Sequence, residues 1–345
     1  MRKGPGHIAF ILITWAATLF SGCSLVDEDM SDCGTEYHLD YELRLVTNMT
    51  TELETQVSTS TEASVSQALR DYLSNIFTDY AHDVDLSFYD VTLDSARLHH
   101  ETHFMDANQS SYTLYIPVRH YMHLAAANIA NNETVTLQGD EKCPTAMFSQ
   151  VTKDTLPSHR TGLFSARLPM DIKEGVNQSF DVRLYMANCA AALVLDTLNS
   201  DVEDVKVFAK GFATDFVLRD STYLYRHSPL IKADNLKLDE PGYMCFATVN
   251  FPSKVEDTKT VIDSDDPFVT DVDAGPLWSM CVYVTTKEGT VTETVLDVSC
   301  PLFPGQLKVI SAVVHEDGTL ESWDQNVSVS IQLDWHPGLD ENIDI

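Results

Sequence analysis

Hydrophobic and polar residues alternate so regularly along this chain that most of it reads as β-strand. Tyr37, Leu39, Tyr41, Leu43 and Leu45 fall on one side, with His38, Asp40, Glu42 and Arg44 on the other. That is the period of a half-buried strand. The next segment changes period. Val65, Leu69, Tyr72, Leu73, Ile76, Phe77 and Tyr80 recur at helical spacing, which predicts one amphipathic helix over residues 62–80.

From there to the end the signals are nearly all strand. Asp85 to Val91, Tyr112 to Pro117 and His120 to Asn128 fill the first half. Phe180 to Met186, Ala191 to Leu195, Val205 to Phe208, Phe212 to Leu218 and Met244 to Phe251 open the second. Met280 to Thr286 and Thr290 to Val298 flank Lys287-Glu288-Gly289 and read as a hairpin. Val309 to His315 and Leu320 to Asp324 flank Glu316-Asp317-Gly318-Thr319 as a second. In the last strand Val327, Val329, Ile331, Leu333 and Trp335 alternate with polar residues up to Pro337-Gly338. Many short alternating strands with one helix predict a mostly β protein of antiparallel sandwiches. Leu168 to Asn177, punctuated by Pro and Gly, divides the strands into two sets. The expected domains are therefore 37–174, carrying the helix, and 175–338, with a short tail at 339–345. No repeat at solenoid period is present.

The N-terminus has a different character. Arg2 and Lys3 precede an apolar run from Ile8 to Phe20. The run is shorter than the roughly 20 residues a membrane-spanning helix needs and reads as a signal peptide. It ends in Leu19-Phe20-Ser21-Gly22-Cys23, small residues before a cysteine, as a bacterial lipoprotein signal peptidase requires. Cleavage between Gly22 and Cys23 would remove residues 1–22 and leave a diacylglycerol on the Cys23 thiol. With an acyl chain on the new amino group this gives stable anchoring, where a single chain binds only marginally. Phe20 stands where such signals usually have Leu. Residues 23–36 then form an acidic tether, Ser24-Leu25-Val26-Asp27-Glu28-Asp29 following the cysteine. Such a cluster resembles the surface-export signal of Bacteroidetes lipoproteins.

Composition narrows the function classes. Of 345 residues 44 % are hydrophobic and 21 % charged, which supports real cores and excludes disorder. Lys and Arg total 22 against 52 Asp and Glu, a net charge of −30 that repels phosphate backbones and argues against nucleic-acid binding. Loss of Arg2 and Lys3 with the signal makes the mature chain more acidic still. One of the seven cysteines is taken by the lipid. Cys245 and Cys281 sit in strand-like apolar runs and read as buried thiols. Cys33 and Cys143 sit in loop-like contexts and are the better disulfide candidates in an oxidising envelope.

Catalytic and cofactor motifs are missing. The sequence has no GxSxG, HExxH, GxxxxGK[ST] or GxGxxG. Histidines cluster at His99-His100-x-x-His103 and at His120-x-x-His123, but imidazoles at i and i+3 of a strand point to opposite faces. Asp263, Asp265, Asp266, Asp271 and Asp273 lack the closing Glu of an EF-hand, so loop 253–275 reads as a solvated excursion. No catalytic residue, metal site or cofactor is expected, and no carboxylate pair stands out for hydrolysis. Asp94-Ser95-Ala96, Asp154-Thr155-Leu156 and Asp196-Thr197-Leu198 match a short O-glycosylation pattern of Bacteroides, at a length where chance matches are common.

Cys23 followed by Asp29-Met30-Ser31-Asp32-Cys33 resembles the Asp-Leu-Ser-x-Cys signature of the fimbrial anchor lipoproteins of Bacteroidales, the FimB and minor-fimbria anchor type, with Met30 in place of Leu. The resemblance runs through Ile76 to Tyr80, Val84 to Asp90, Pro304-Gly305-Gln306 and Leu333 to Gly338. It implies two tandem transthyretin-like Greek-key β-sandwich domains. It also implies a non-enzymatic outer-membrane lipoprotein that roots a fimbrial shaft, takes part in its assembly and limits its length. The implied partners are fimbrial shaft subunits, joined by β-strand complementation, and the outer membrane, joined through the lipid. Few residues follow Gly338, so the expectation is a chain that presents a groove or edge. The alternative is a surface glycan-binding lipoprotein of a polysaccharide-uptake system. That class needs exposed aromatic platforms, and past the signal only Trp278, Trp323 and Trp335 are available.

Overall fold

The computed structural model describes residues 36–46, 63–78, 81–92, 95–104, 111–239, 241–255 and 276–332, and among them four sheets, one α-helix and a short 3-10 turn at Cys143–Thr145 make up the regular structure. A seven-stranded sheet runs, in spatial order, β3 (Arg97–Phe104), β2 (Asp83–Asp90), β5 (His120–Ala127), β9 (Phe164–Asp171), β10 (Gln178–Met186), β1 (Glu36–Val46) and β4 (Ser111–Pro117). A five-stranded sheet runs β16 (Asp234–Leu236), β17 (Tyr243–Asn250), β11 (Cys189–Asp196), β20 (Leu307–Val314) and β21 (Leu320–Glu321). A six-stranded sheet holds β22 (Val327–Gln332), β19 (Val291–Val298), β18 (Trp278–Thr286), β12 (Val202–Lys210), β15 (Leu230–Lys232) and β8 (Thr155–Pro157). The smallest sheet is β14 (Thr222–Leu224), β13 (Asp215–Val217), β7 (Met147–Gln150) and β6 (Val135–Gln138). The helix α1 spans Ala63–Ile76.

The layers stack in an order that burial dictates. β11 reads Cys-Ala-Ala-Ala-Leu-Val-Leu and is buried on both faces. Its Ala190, Ala192 and Val194 pack with Val65, Leu69 and Leu73 of α1 and with Val84, Leu86 and Phe88 of the seven-stranded sheet. Cys189, Ala191, Leu193 and Leu195 pack on the other side with Val207, Trp278, Met280 and Val282 of the six-stranded sheet. The five-stranded sheet is thus covered on both faces, and covered strands are apolar runs without polar alternation. A further cluster, with Tyr89, Leu124, Ala126, Phe148 and Phe216, seals the small sheet onto the back of the seven-stranded one.

The mostly β class with one amphipathic helix is what the chain folds into. Both expected hairpins form, around Gly289 at φ +83° and Gly318 at φ +80°, a left-handed conformation that glycine adopts without strain. The purely antiparallel arrangement does not hold: β1 pairs parallel to β10, β11 to β20 and β15 to β8. Alternation reports which face a residue takes and carries no information on the direction of the neighbouring strand. The helix ends at Ile76, short of residue 80, because the amide of Gly162 takes up the Ile76 carbonyl at 3.0 Å. A Cβ on Gly162 would lie 2.6 Å from the Phe77 ring, so only a bare backbone fits there.

The expected boundary after Glu174 falls in the turn between β9 and β10, and strands cross it in three places. β10 lies in the seven-stranded sheet beside β9 and β1, β13 pairs with β7, and β8 pairs with β15. The crossing segment from β8 to β9 carries a buried polar hub. His159 is fully buried, with Nδ1 2.9 Å from the Asn188 amide nitrogen and Nε2 2.9 Å from the Gln150 amide. Asn188 Oδ1 accepts from the Leu163 amide, so its nitrogen donates to Nδ1 and the ring proton sits on Nε2. That proton needs an acceptor, which turns the Gln150 oxygen toward the ring and satisfies an otherwise unpartnered Oε1. Next to it, Ser158 accepts from the Val249 amide and shares a hydrogen bond with Tyr72 of α1, whose hydroxyl also donates to Asp234.

Burial pushes the His159 imidazole down to about 4. His123 is lowered to about 4 by the same cause, against a weaker opposing hydrogen bond to the Ser87 carbonyl. Both rings take up protons near 6.5 once the chain unfolds. Their contribution is therefore complete above pH 6.5 and is lost as pH falls toward 4. The expected loss is about 3 kcal/mol per histidine, read by urea unfolding across that window. His123→Phe should reduce the pH slope, and a flat stability profile between pH 6.5 and 4 would contradict the buried neutral state.

Candidate functional site: the open sheet edges

Among the described residues the four sheets have eight outer strands, each with no strand paired on one side. Five of these are too short to template much: β16, β21, β8, β14 and β6 span two to four residues each. Three are longer: β3, β4 and β22.

β3 is guarded by charge. Its sequence, Arg-Leu-His-His-Glu-Thr-His-Phe, alternates half-buried and exposed positions. Its register against β2 shifts at Phe88 and Tyr89, a bulge that twists the edge. On the face shared with Phe88, Glu101 accepts from His99 Nε2 at 2.6 Å and from His103 Nε2 at 2.8 Å. On the other face His100 bonds Asp85 at 2.6 Å, and Arg97 is paired with Asp140. His99 and His123 flank the buried Phe88 ring, edge-on at 5.7 Å and stacked at 4.2 Å. Comparing i with i+3 overlooks this arrangement, since the period of a strand joins i, i+2 and i+4. The three imidazoles of β3 are spent on carboxylates, and among the described residues no group of three His, Cys, Asp or Glu is placed to hold a metal ion.

β4 has no such guard. Ser-Tyr-Thr-Leu-Tyr-Ile-Pro holds no charge, and among the described strands it pairs only with β1, from Glu36–Pro117 to Glu42–Ser111. Leu114 and Ile116 are fully buried, while Thr113 and Tyr115 face solvent. β22, Val-Ser-Val-Ser-Ile-Gln, is likewise uncharged and pairs only with β19 among the described strands, its Ser328 and Ser330 exposed. Among the described residues, two neutral edges of six and seven residues therefore have no strand on their outer side.

The other residues singled out from sequence are dispersed. Gly22, Cys23, Cys33, the loop from residue 256 to 275 and the segment from 333 onward lie outside the described residues. Cys143 is buried and free, as are Cys189, Cys245 and Cys281, while Cys300 is free and half-buried. Burial pushes the Cys245 thiol up to about 12, which keeps it protonated and inert. Ser253, at the start of the expected excursion, is fully buried and bonds the Leu302 amide. Trp278 is buried with its Nε1 donating to the Cys300 carbonyl, whereas Trp323 is 70 % exposed. Among the described residues no helix is long and apolar enough to cross a membrane.

No family model matches this chain, and no curated protein matches it. Solved structures do. A candidate adhesin from Bacteroides ovatus has a TM-score of 0.51 at 8 % identity, covering 86 % of this chain and 95 % of that one. A second from the same species has a TM-score of 0.50 at 12 % identity, with 80 % and 87 % covered. The structural neighbours also include the fimbrial anchor protein Mfa2 from Porphyromonas gingivalis, at a TM-score of 0.48 and 12 % identity over 86 % and 97 %. At these identities the adhesin likeness is one of fold.

If charge is what keeps β3 unpaired, its removal should expose a third edge. His100→Val together with Glu101→Val is expected to drive concentration-dependent self-association, read by light scattering at neutral pH. A strictly monodisperse variant of unchanged size would show that the charges do not guard the edge.

Proposed function

We propose that this chain is a lipid-anchored, non-enzymatic surface protein that holds a fimbrium at the cell, with β4 receiving an extended segment of the next subunit. The observation that carries this reading is the neutral β4 edge lying directly against β1, the first described strand after Cys23, whose sequence context reads as a lipidation site. An incoming strand would satisfy the outer backbone groups of β4 and set alternate side chains beside Leu114 and Ile116. Such a contact is heterologous and repeats head to tail into a filament. A subunit held by lipid at its N-terminal end can occupy only the base of that filament. It therefore both roots the shaft in the outer membrane and closes off growth at that end, which is how anchoring and length control become one act. The Asp29-Met30-Ser31-Asp32-Cys33 segment and the acidic tether supply the surface address.

Two measurements test this. Cells fed an alkyne fatty acid should label the wild-type protein, and Cys23→Ala should lose the label and shed its fimbriae into the medium. Label retained on Cys23→Ala would overturn the lipid assignment. Thr113→Lys with Tyr115→Lys places two like charges along β4 and should weaken capture of dissociated shaft subunits by about tenfold or more, with an unchanged melting temperature. Undiminished capture would overturn the assignment of β4 and shift it to β22.

A further inference from the structure

Two of the parallel pairs lie in series along one path. β1 runs parallel to β10 from Leu39–Gln178 to Val46–Tyr185. β10 then passes through Ala187 and Asn188 alone into β11, which runs parallel to β20 from Ala190–Leu307 to Asp196–Val313. A pull on the residues before β1 therefore enters the first pair at the N-terminal end of one strand and leaves it at the C-terminal end of the other. The second pair repeats the geometry: force enters β11 at Cys189 and leaves β20 beyond Val314.

Loaded this way, paired strands are drawn past each other along their length. Ladder hydrogen bonds run across the strands, so the whole ladder is strained together and cannot open one bond at a time. The link between the pairs is pinned. The Asn188 carbonyl accepts from the Gly305 amide at 2.7 Å, its side chain is held by Leu163 and His159, and the Ala190 amide donates to Gln306 at 2.9 Å. Burial of β11 on both faces prevents it from rolling out of its layer.

We infer that β1–β10 and β11–β20 are two shear clamps in series, and that the fold carries tension from its N-terminal end through to the C-terminal half. The purpose of such a device rests on the anchoring reading above, in which the membrane holds the segment before β1. The mechanical property itself does not.

Force spectroscopy on the chain from Ser24 onward tests it, with one handle at the N-terminus and a second at an azide-bearing residue in an exposed turn. A handle at Glu316, just past β20, loads both clamps lengthwise. A handle at Glu174, just before β10, pulls β1 and β10 from the same end and peels them apart. The expected result is a rupture force several-fold higher for Glu316 than for Glu174 at the same loading rate, since forced unfolding follows the barrier and not the equilibrium stability. Thermal unfolding of the two handled proteins should coincide, which assigns the difference to geometry. Equal rupture forces would overturn the clamps and leave the lipid and edge assignments standing, because those are read by fatty-acid labelling and subunit capture.

Discussion

A strand with protein on both faces cannot choose its side chains freely, and β11 is such a strand. Its alanines at 190, 191 and 192 let two neighbouring layers approach a single backbone, the helix and seven-stranded sheet on one side and the six-stranded sheet on the other. Close-packed interiors have no spare volume, so a larger side chain there would wedge both layers at once. The rest of the architecture follows from where β11 goes: β10 feeds it, β17 and β20 flank it, and the cores of the two halves meet across it.

The halves are tied by strands as well as by packing. β8 leaves the first half to edge the six-stranded sheet, and β13 and β14 return from the second to extend the sheet of β6 and β7. Between β8 and β9 lie Ser158, His159 and Gly162, which between them bond Tyr72 of α1, the Val249 backbone, Asn188 and the Ile76 carbonyl. A segment this connected has little freedom, and its polar atoms are satisfied only when every surrounding layer is in place.

How much of this could be read from residues alone depended on whether the information was local. Period-two alternation placed β1, β10, the β18–β19 hairpin and β22, and helical spacing placed α1. The bounds of β3 are hard to read because its larger apolar residues, Leu98 and Phe104, face outward from an edge. β9 was hidden because Leu168, Pro169 and Met170 looked like the start of a linker. Parallel pairing and the sharing of strands between halves left no local trace, since both are set by what a strand meets far along the chain. Of the candidate site, the uncharged character of β4 is visible in Ser-Tyr-Thr-Leu-Tyr-Ile-Pro, but its place at the rim of a sheet is not.

The pairing of β1 with β10 has a consequence in time. Leu39 lies opposite Gln178, so a strand made early has to wait for one made much later. Closing so long a loop costs entropy before any hydrogen bond returns it, and folds dominated by such distant pairings form slowly. The first half therefore stays incomplete until β10, near the middle of the chain, has emerged. Until then the edge of β1 that β10 will cover has no partner from this sheet.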